Sequence, residues 1–241
     1  MMKRIFSALA LVAAVSALQA ADPAVQFNKN GGRVNVVNIF EKQTNTAPFT
    51  ISEYNKQWKP MKSYNFDFSE MRGRIVTADD ERINMEYKYQ QIKPNEAAVT
   101  LIATADAPVP TGRLLYSQML LARDGFIPKV VVNGKDISFP LEYNAKLPYD
   151  VVIPAAAEGK ENVAVVTFQK GEMTLRTKAA ITLRDMRRWK AQCLELRLMF
   201  IDEPEDLIEA KLEFTVSVVP LPVAPAEPVA TPAAEAAPAT K

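Results

Sequence analysis

The sequence predicts an all-β protein: a large antiparallel β-sandwich followed by a disordered tail rich in proline and alanine. Three observations carry that expectation. The first is strict two-residue alternation in three segments between Glu172 and Val219. Met173, Leu175, Thr177, Ala179, Ile181 and Leu183 fall on one face, against Thr174, Arg176, Lys178, Thr182 and Arg184. Leu194, Leu196, Leu198 and Phe200 stand opposite Cys193, Glu195, Arg197 and Met199. Ala210, Leu212, Phe214, Val216 and Val218 stand opposite Glu209, Lys211, Glu213, Thr215 and Ser217. Successive side chains of a strand point to opposite faces, so each segment reads as a strand with one face on a core and one in water. The second observation is that strand-like segments recur along the whole chain with no sustained helical periodicity between them. The third is turn chemistry. Asn133-Gly134, between two apolar runs, favours the positive φ angles of a tight hairpin.

The first element is not part of the sandwich. Lys3 and Arg4 precede an apolar run, Ile5 to Leu18, which ends at the small residues Ala20 and Ala21. That is the pattern of a secretory signal peptide over residues 1–20, cleaved after Ala20 or Ala21. The run is too short and wrongly flanked for a membrane span, and no later one approaches ~18 residues, so no span is expected in the mature chain. Ala21 to Asn30 reads as a polar lead-in ending in a turn at Gly31 and Gly32. Arg33 to Phe40 is the first strand and Phe49 to Tyr54 the second, with Asn55 to Ser63 a loop carrying Trp58. Tyr64 to Val76 alternates Tyr64, Phe66 and Phe68 before Gly73, whose lack of a side chain suggests a bend or bulge. The polar turn Thr77 to Arg82 then leads into a strand with Ile83, Met85, Tyr87 and Tyr89.

Glu96 to Ala105 is a further strand. Asp106 to Gly112, with two prolines and a glycine, is the strongest internal break, read as a domain boundary or a crossover between two sheets. One sandwich over residues 21–219 is preferred to two small ones divided at 106–112. Arg113 to Ala122, Lys129 to Val132, Tyr149 to Ile153 and Val163 to Phe168 follow as strands. Asp185 to Ala191 and Glu203 to Ile208 read as short helical turns. Residues 220–241 contain six prolines and eight alanines among 22, with almost nothing to bury, and form the disordered tail.

At 241 residues, 48% of them hydrophobic, the chain can fill the core of one large domain. Removing Lys3 and Arg4 from 29 basic residues leaves 27 against 28 acidic ones, a net of −1. So near-neutral a balance gives no electrostatic footprint for nucleic acid. Cys193 is the only cysteine, so no internal disulfide can form, and a packing role is expected for it. Histidine is absent, which removes the commonest general base and the Ser-His-Asp and Cys-His arrangements. One cysteine without histidine also cannot close a zinc or copper shell. Neither GxGxxG nor GxxxxGK[ST] occurs, so no nucleotide cofactor is indicated. No catalytic residue, metal or cofactor is assigned.

Carboxylates remain. A glycoside hydrolase needs two of them, roughly 5–9 Å apart. The acids cluster at Asp79, Asp80 and Glu81, and at Asp202, Glu203, Glu205 and Asp206, both in connections where solvated acids are expected. The second cluster also lacks calcium-loop spacing. Aromatic residues in polar loops are the other candidates, because the apolar faces of sugars stack on exposed rings. Trp58, with Tyr54 and Tyr64 nearby, is the candidate ligand-binding platform; the competing structural reading folds Trp58 back over the end of the sandwich. Trp189 is expected to plug the core, with Arg187 or Arg188 stacked on it. Glu195 and Arg197 are expected to face Lys211 and Glu213 across a solvated outer face.

The Asn133-Gly134-Lys135 hairpin with its flanking strands, and the run Arg184 to Phe200 (RDMRRWKAQCLELRLMF), resemble β-sandwich regions that accompany catalytic domains in large secreted bacterial glycoside hydrolases. The likeness covers the second half of the chain and includes no catalytic motif. It implies an accessory sandwich on a carbohydrate enzyme; this sequence departs from the pattern by lacking the catalytic domain. The leading expectation is therefore an exported, periplasmic or secreted, non-catalytic binding or structural module with a glycan as ligand. The alternatives are an envelope protein that binds other proteins, and a carboxylate-dependent glycoside hydrolase.

Overall fold

The computed structural model describes residues 22–28, 32–40, 47–122 and 125–222. The expected signal peptide, and the expected tail beyond residue 222, lie outside them. Fifteen strands follow in chain order: β1 (Ala24–Asn28), β2 (Arg33–Val37), β3 (Ala47–Asn55), β4 (Ser63–Asp67), β5 (Arg72–Val76), β6 (Arg82–Lys93), β7 (Glu96–Leu121), β8 (Lys129–Val132), β9 (Lys135–Asp136), β10 (Asp150–Ile153), β11 (Asn162–Thr167), β12 (Gly171–Thr177), β13 (Ile181–Asp185), β14 (Cys193–Ile201) and β15 (Glu205–Pro220). A 3-10 turn, Met186–Trp189, joins β13 to β14. The protein is all-β as expected, and every strand pair is antiparallel.

The arrangement turns on β7, which belongs to two layers at once. Its first half lies between β6 and β15 in the order β4-β5-β6-β7-β15-β12-β11-β8-β9. Its second half lies between β3 and β14 in the order β1-β2-β3-β7-β14-β13-β10. Aromatic rings close the space between the layers. Phe49 of β3 stacks on Tyr116 of β7 at 5.5 Å, and Phe214 of β15 meets both rings from the other layer at 5.7 Å. The buried Tyr116 hydroxyl accepts from the Val34 amide at 3.1 Å, so this large side chain costs no unpaired polar atom. The Asn133-Gly134 hairpin forms between β8 and β9, with φ of 51° and 78° at the two turn residues.

Several local expectations need correction. Met173 to Leu183 is not one strand but two, β12 beside β15 and β13 beside β14, in different layers. The lead-in after Ala21 is a strand, β1, because Val25 and Phe27 have a partner in Val36 and Val34 that the polar composition concealed. Tyr64 to Val76 is a hairpin whose reversal falls between β4 and β5, and Gly73, expected as a bend, lies inside β5 opposite Phe66. Asp67 accepts hydrogen bonds from the Ser69 amide and hydroxyl and reverses the chain there. Asp106 to Gly112 is not a loop but part of β7, where Thr111, Pro110 and Val109 pair with Glu205, Asp206 and Leu207. Of the two readings it follows the crossover, since β7 passes here from one layer to the other. For the same reason Glu205 to Ile208 is extended and not helical. Finally, β14 and β15 are not neighbours. β14 takes the second half of β7 and β15 the first, so Glu195 and Arg197 never meet Lys211 and Glu213.

Candidate functional site

The outer face of the second layer carries the side chains of interest, and strand parity explains which ones. Tyr54 of β3 sits opposite Arg113 of β7. Arg197 of β14 sits between Ser117 of β7 and Thr182 of β13. Arg184 of β13 sits between Glu195 of β14 and Asp150 of β10. These positions share a face, and they floor a cavity of about 740 Å³ lined by Tyr54, Trp58, Arg113, Tyr149, Asp150, Arg184, Trp189 and Arg197.

Trp58 forms one wall. It is 53% exposed and has φ of 64°, a left-handed conformation that bulky residues avoid at a cost of roughly 1–3 kcal/mol. The turn around it is fixed from several directions. Asn55 Oδ1 accepts from the amides of Gln57 and Lys59 at 3.0 and 2.9 Å, and Asn55 O accepts from the Trp58 amide at 2.9 Å. Asn55 Nδ2 donates to Asp79, and Lys56 pairs with Asp206, each at 2.6 Å. The expectation that Trp58 folds back into the sandwich is therefore not met. The ring stands out from the turn with the Arg113 guanidinium 4.9 Å from its centre.

Gly112 is where the turn and the strand meet. A Cβ there would lie 2.3 Å from Asn55 O, a backbone atom that has no room to give. Gly112→Ala is expected to push the Trp58 turn off β7 and cost about 1–3 kcal/mol. Chemical denaturation should read that loss, together with increased protease cleavage near residue 58.

Trp189 and Tyr149 form the opposite wall, packed edge to face at 5.5 Å and 87°. Trp189 is 51% exposed, which corrects its expected role as a core plug. Its 3-10 turn ends at Lys190 in a left-handed conformation (φ 66°) and so cannot carry the ring inward as a strand would. Arg188 lies 4.4 Å from the Tyr149 ring centre and 5.7 Å from that of Trp189. Arg187 holds this wall in place. It forms a fork on Asp185 and donates to the carbonyls of Leu141 and Pro140 at 2.6 and 3.0 Å, tying the segment before Tyr149 to the 3-10 turn.

The charges in the floor are matched unequally. Arg184 donates two bonds to Asp150, at 2.6 and 2.7 Å. Burial works against its charge, but the bonds and attraction to Asp150, with Glu195 and Tyr149 adding to them, together raise its pKa. Arg197 donates to Glu195 Oε2 through Nε at 2.8 Å and brings Nη2 to 2.6 Å from the same oxygen, both residues being almost fully buried. Arg113 makes no ion pair among the described residues, and its buried Nε has no acceptor there. Burial lowers its pKa, with Arg197 and Arg184 adding to the effect. Glu53 lies one residue from Tyr54 but on the inner face of β3, fully buried with neither carboxyl oxygen bonded. It cannot reach across the sheet to compensate Arg113.

Of the three residues proposed from sequence, Tyr54 and Trp58 line this cavity and Tyr64 does not. Tyr64 lies in the other layer, its hydroxyl donating to Tyr87 at 2.7 Å and its ring over Gly73. Arg113, Tyr149, Asp150, Arg184, Trp189 and Arg197 were not foreseen. Their only sequence signal is polar-face position in the strands or adjacency to a strand end. Cys193 is half-buried with Sγ 3.8 Å from the Met119 sulfur, and burial, with Glu195 and Asp185, pushes its thiol pKa up, away from reactivity. No protein-family model matches the chain, and no curated protein matches it.

Proposed function

We propose that this is an exported, non-catalytic binding module that takes a glycan in the cavity between Trp58 and Trp189. The observation that carries the reading is Trp58 itself. A half-exposed tryptophan in a left-handed conformation carries a backbone penalty and gains little by burial, so its ring earns its place through contact with something else. Two tryptophans and two tyrosines around one open cavity suit the apolar faces of sugar rings. The leader-like residues 1–20 support export to the periplasm or beyond, and the resemblance to accessory sandwiches of secreted glycoside hydrolases agrees in kind.

The test is retention of the purified protein on a panel of immobilised polysaccharides, alongside Trp58→Gly. Glycine suits φ 64°, so the variant is expected to melt within a few degrees of the parent while losing retention. Retention unchanged in Trp58→Gly would remove the ring from the site. No retention on any polysaccharide would favour the alternative, an envelope protein with a protein partner.

A further inference from the structure

We infer that the glycan is acidic, and that Arg113 is the residue that binds its carboxylate or sulfate group. This rests on the glycan reading above and adds the ligand's charge. Three guanidinium groups enter one cavity, those of Arg113, Arg184 and Arg197. Asp150 answers Arg184 and Glu195 answers Arg197, each through a close two-point contact. Arg113 has no such partner among the described residues, and Arg188 beside Tyr149 adds a further positive group at the rim. The excess positive charge is local, since the whole chain carries a formal net of only +1.

Arg113 is also held ready. Its guanidinium rests 4.9 Å from the Trp58 ring centre, so the group lies beside the ring on which a sugar would stack. A planar fork of N–H donors matches the two oxygens of a carboxylate or sulfate, and in a partly desolvated cavity such bonds are stronger than in water. Trp58 and Arg113 together read a ring with an apolar face and an anionic substituent at its edge. A neutral sugar would fill the aromatic part of the cavity and leave the cation unanswered.

The experiment is titration calorimetry of the full chain with four probes. These are homogalacturonan, its fully methyl-esterified form, a sulfated galactan and the same galactan desulfated. At least one acidic probe is expected to bind ten or more times tighter than its neutral counterpart, and which acidic probe binds distinguishes carboxylate from sulfate. That binding should weaken about tenfold between 50 and 500 mM NaCl, a readout that needs no variant. Arg113→Gln should lose at least tenfold in affinity for the acidic probe, and Arg113→Lys should recover part of it, both with the parent's melting temperature. Equal binding of acidic and neutral forms, insensitive to salt, would overturn the inference and leave the glycan reading standing. Binding of no probe, acidic or neutral, by a protein that is retained on some other neutral polysaccharide would overturn it as well. Failure on every polysaccharide would overturn both.

Discussion

Glu195→Ala is expected to destabilise the protein by about 3–5 kcal/mol, because it leaves the Arg197 guanidinium buried without a counter-charge. Glu195 and Arg197 are 4% and 3% exposed and meet at 2.6 and 2.8 Å. An exposed pair of the same geometry, such as Lys211 and Glu213 at 2.8 Å, contributes at most about 1 kcal/mol, so burial makes the difference. For a domain of this size the loss corresponds to a fall in Tm of roughly 6–20 °C. The double variant Glu195→Leu/Arg197→Met should recover most of it, since removing both charges leaves no orphan. Urea denaturation of the three proteins decides the matter. A single variant within 1 kcal/mol of the parent would mean that water reaches Arg197.

The second large effect is on pH dependence and comes from Glu53. Burial pushes its carboxyl from an ordinary 4.5 up to about 7, with the nearby Asp79 and Glu81 carboxylates adding to the rise. Between those two values the folded protein holds a proton that the unfolded chain has released. Stability is therefore highest below about pH 4.5, falls as pH rises towards 7, and stays lower above it, by roughly 3 kcal/mol from this group. The chain has no histidine, so no other side chain of ordinary pKa titrates through the upper part of that window. Glu53→Gln, which keeps the shape and removes the charge, should be more stable than the parent at pH 8 by about 2 kcal/mol. It should show little gain at pH 4.5. Denaturation midpoints from pH 4.5 to 8 provide the check. A parent-like slope in the variant would assign the dependence to another group.

Alternation made the fold class legible because it reports directly on burial. Leu194, Leu196 and Leu198 face the core as their spacing requires, and so do Leu212, Phe214, Val216 and Val218. Alternation does not report on partners. Nothing in Glu195 and Arg197 as sequence distinguishes a solvated charge pair from one buried at the floor of a cavity. Nor does the polar stretch after Ala21 announce that Val25 and Phe27 have a strand to pair with. The site was half legible for the same reason. Tyr54 and Trp58 are close in sequence and could be seen together. Arg113, Arg184 and Trp189 come from distant strands, and only the pairing order brings them to one face. Tyr64 was misplaced because the unrecognised reversal at Ser69 makes it part of a hairpin in the opposite layer.

The double membership of β7 has a consequence for how the molecule assembles in time. Neither layer can be completed before this 26-residue strand is in place, and its partners lie as far away in sequence as β3 and β15. Closing such long loops precedes most of the stabilising contacts, so folding is slow for the size of the chain. Once β7 is seated the two layers stand or fall together. Trp58 and Trp189 are therefore expected to be brought together only when both layers are in place, and the two layers to unfold in one transition.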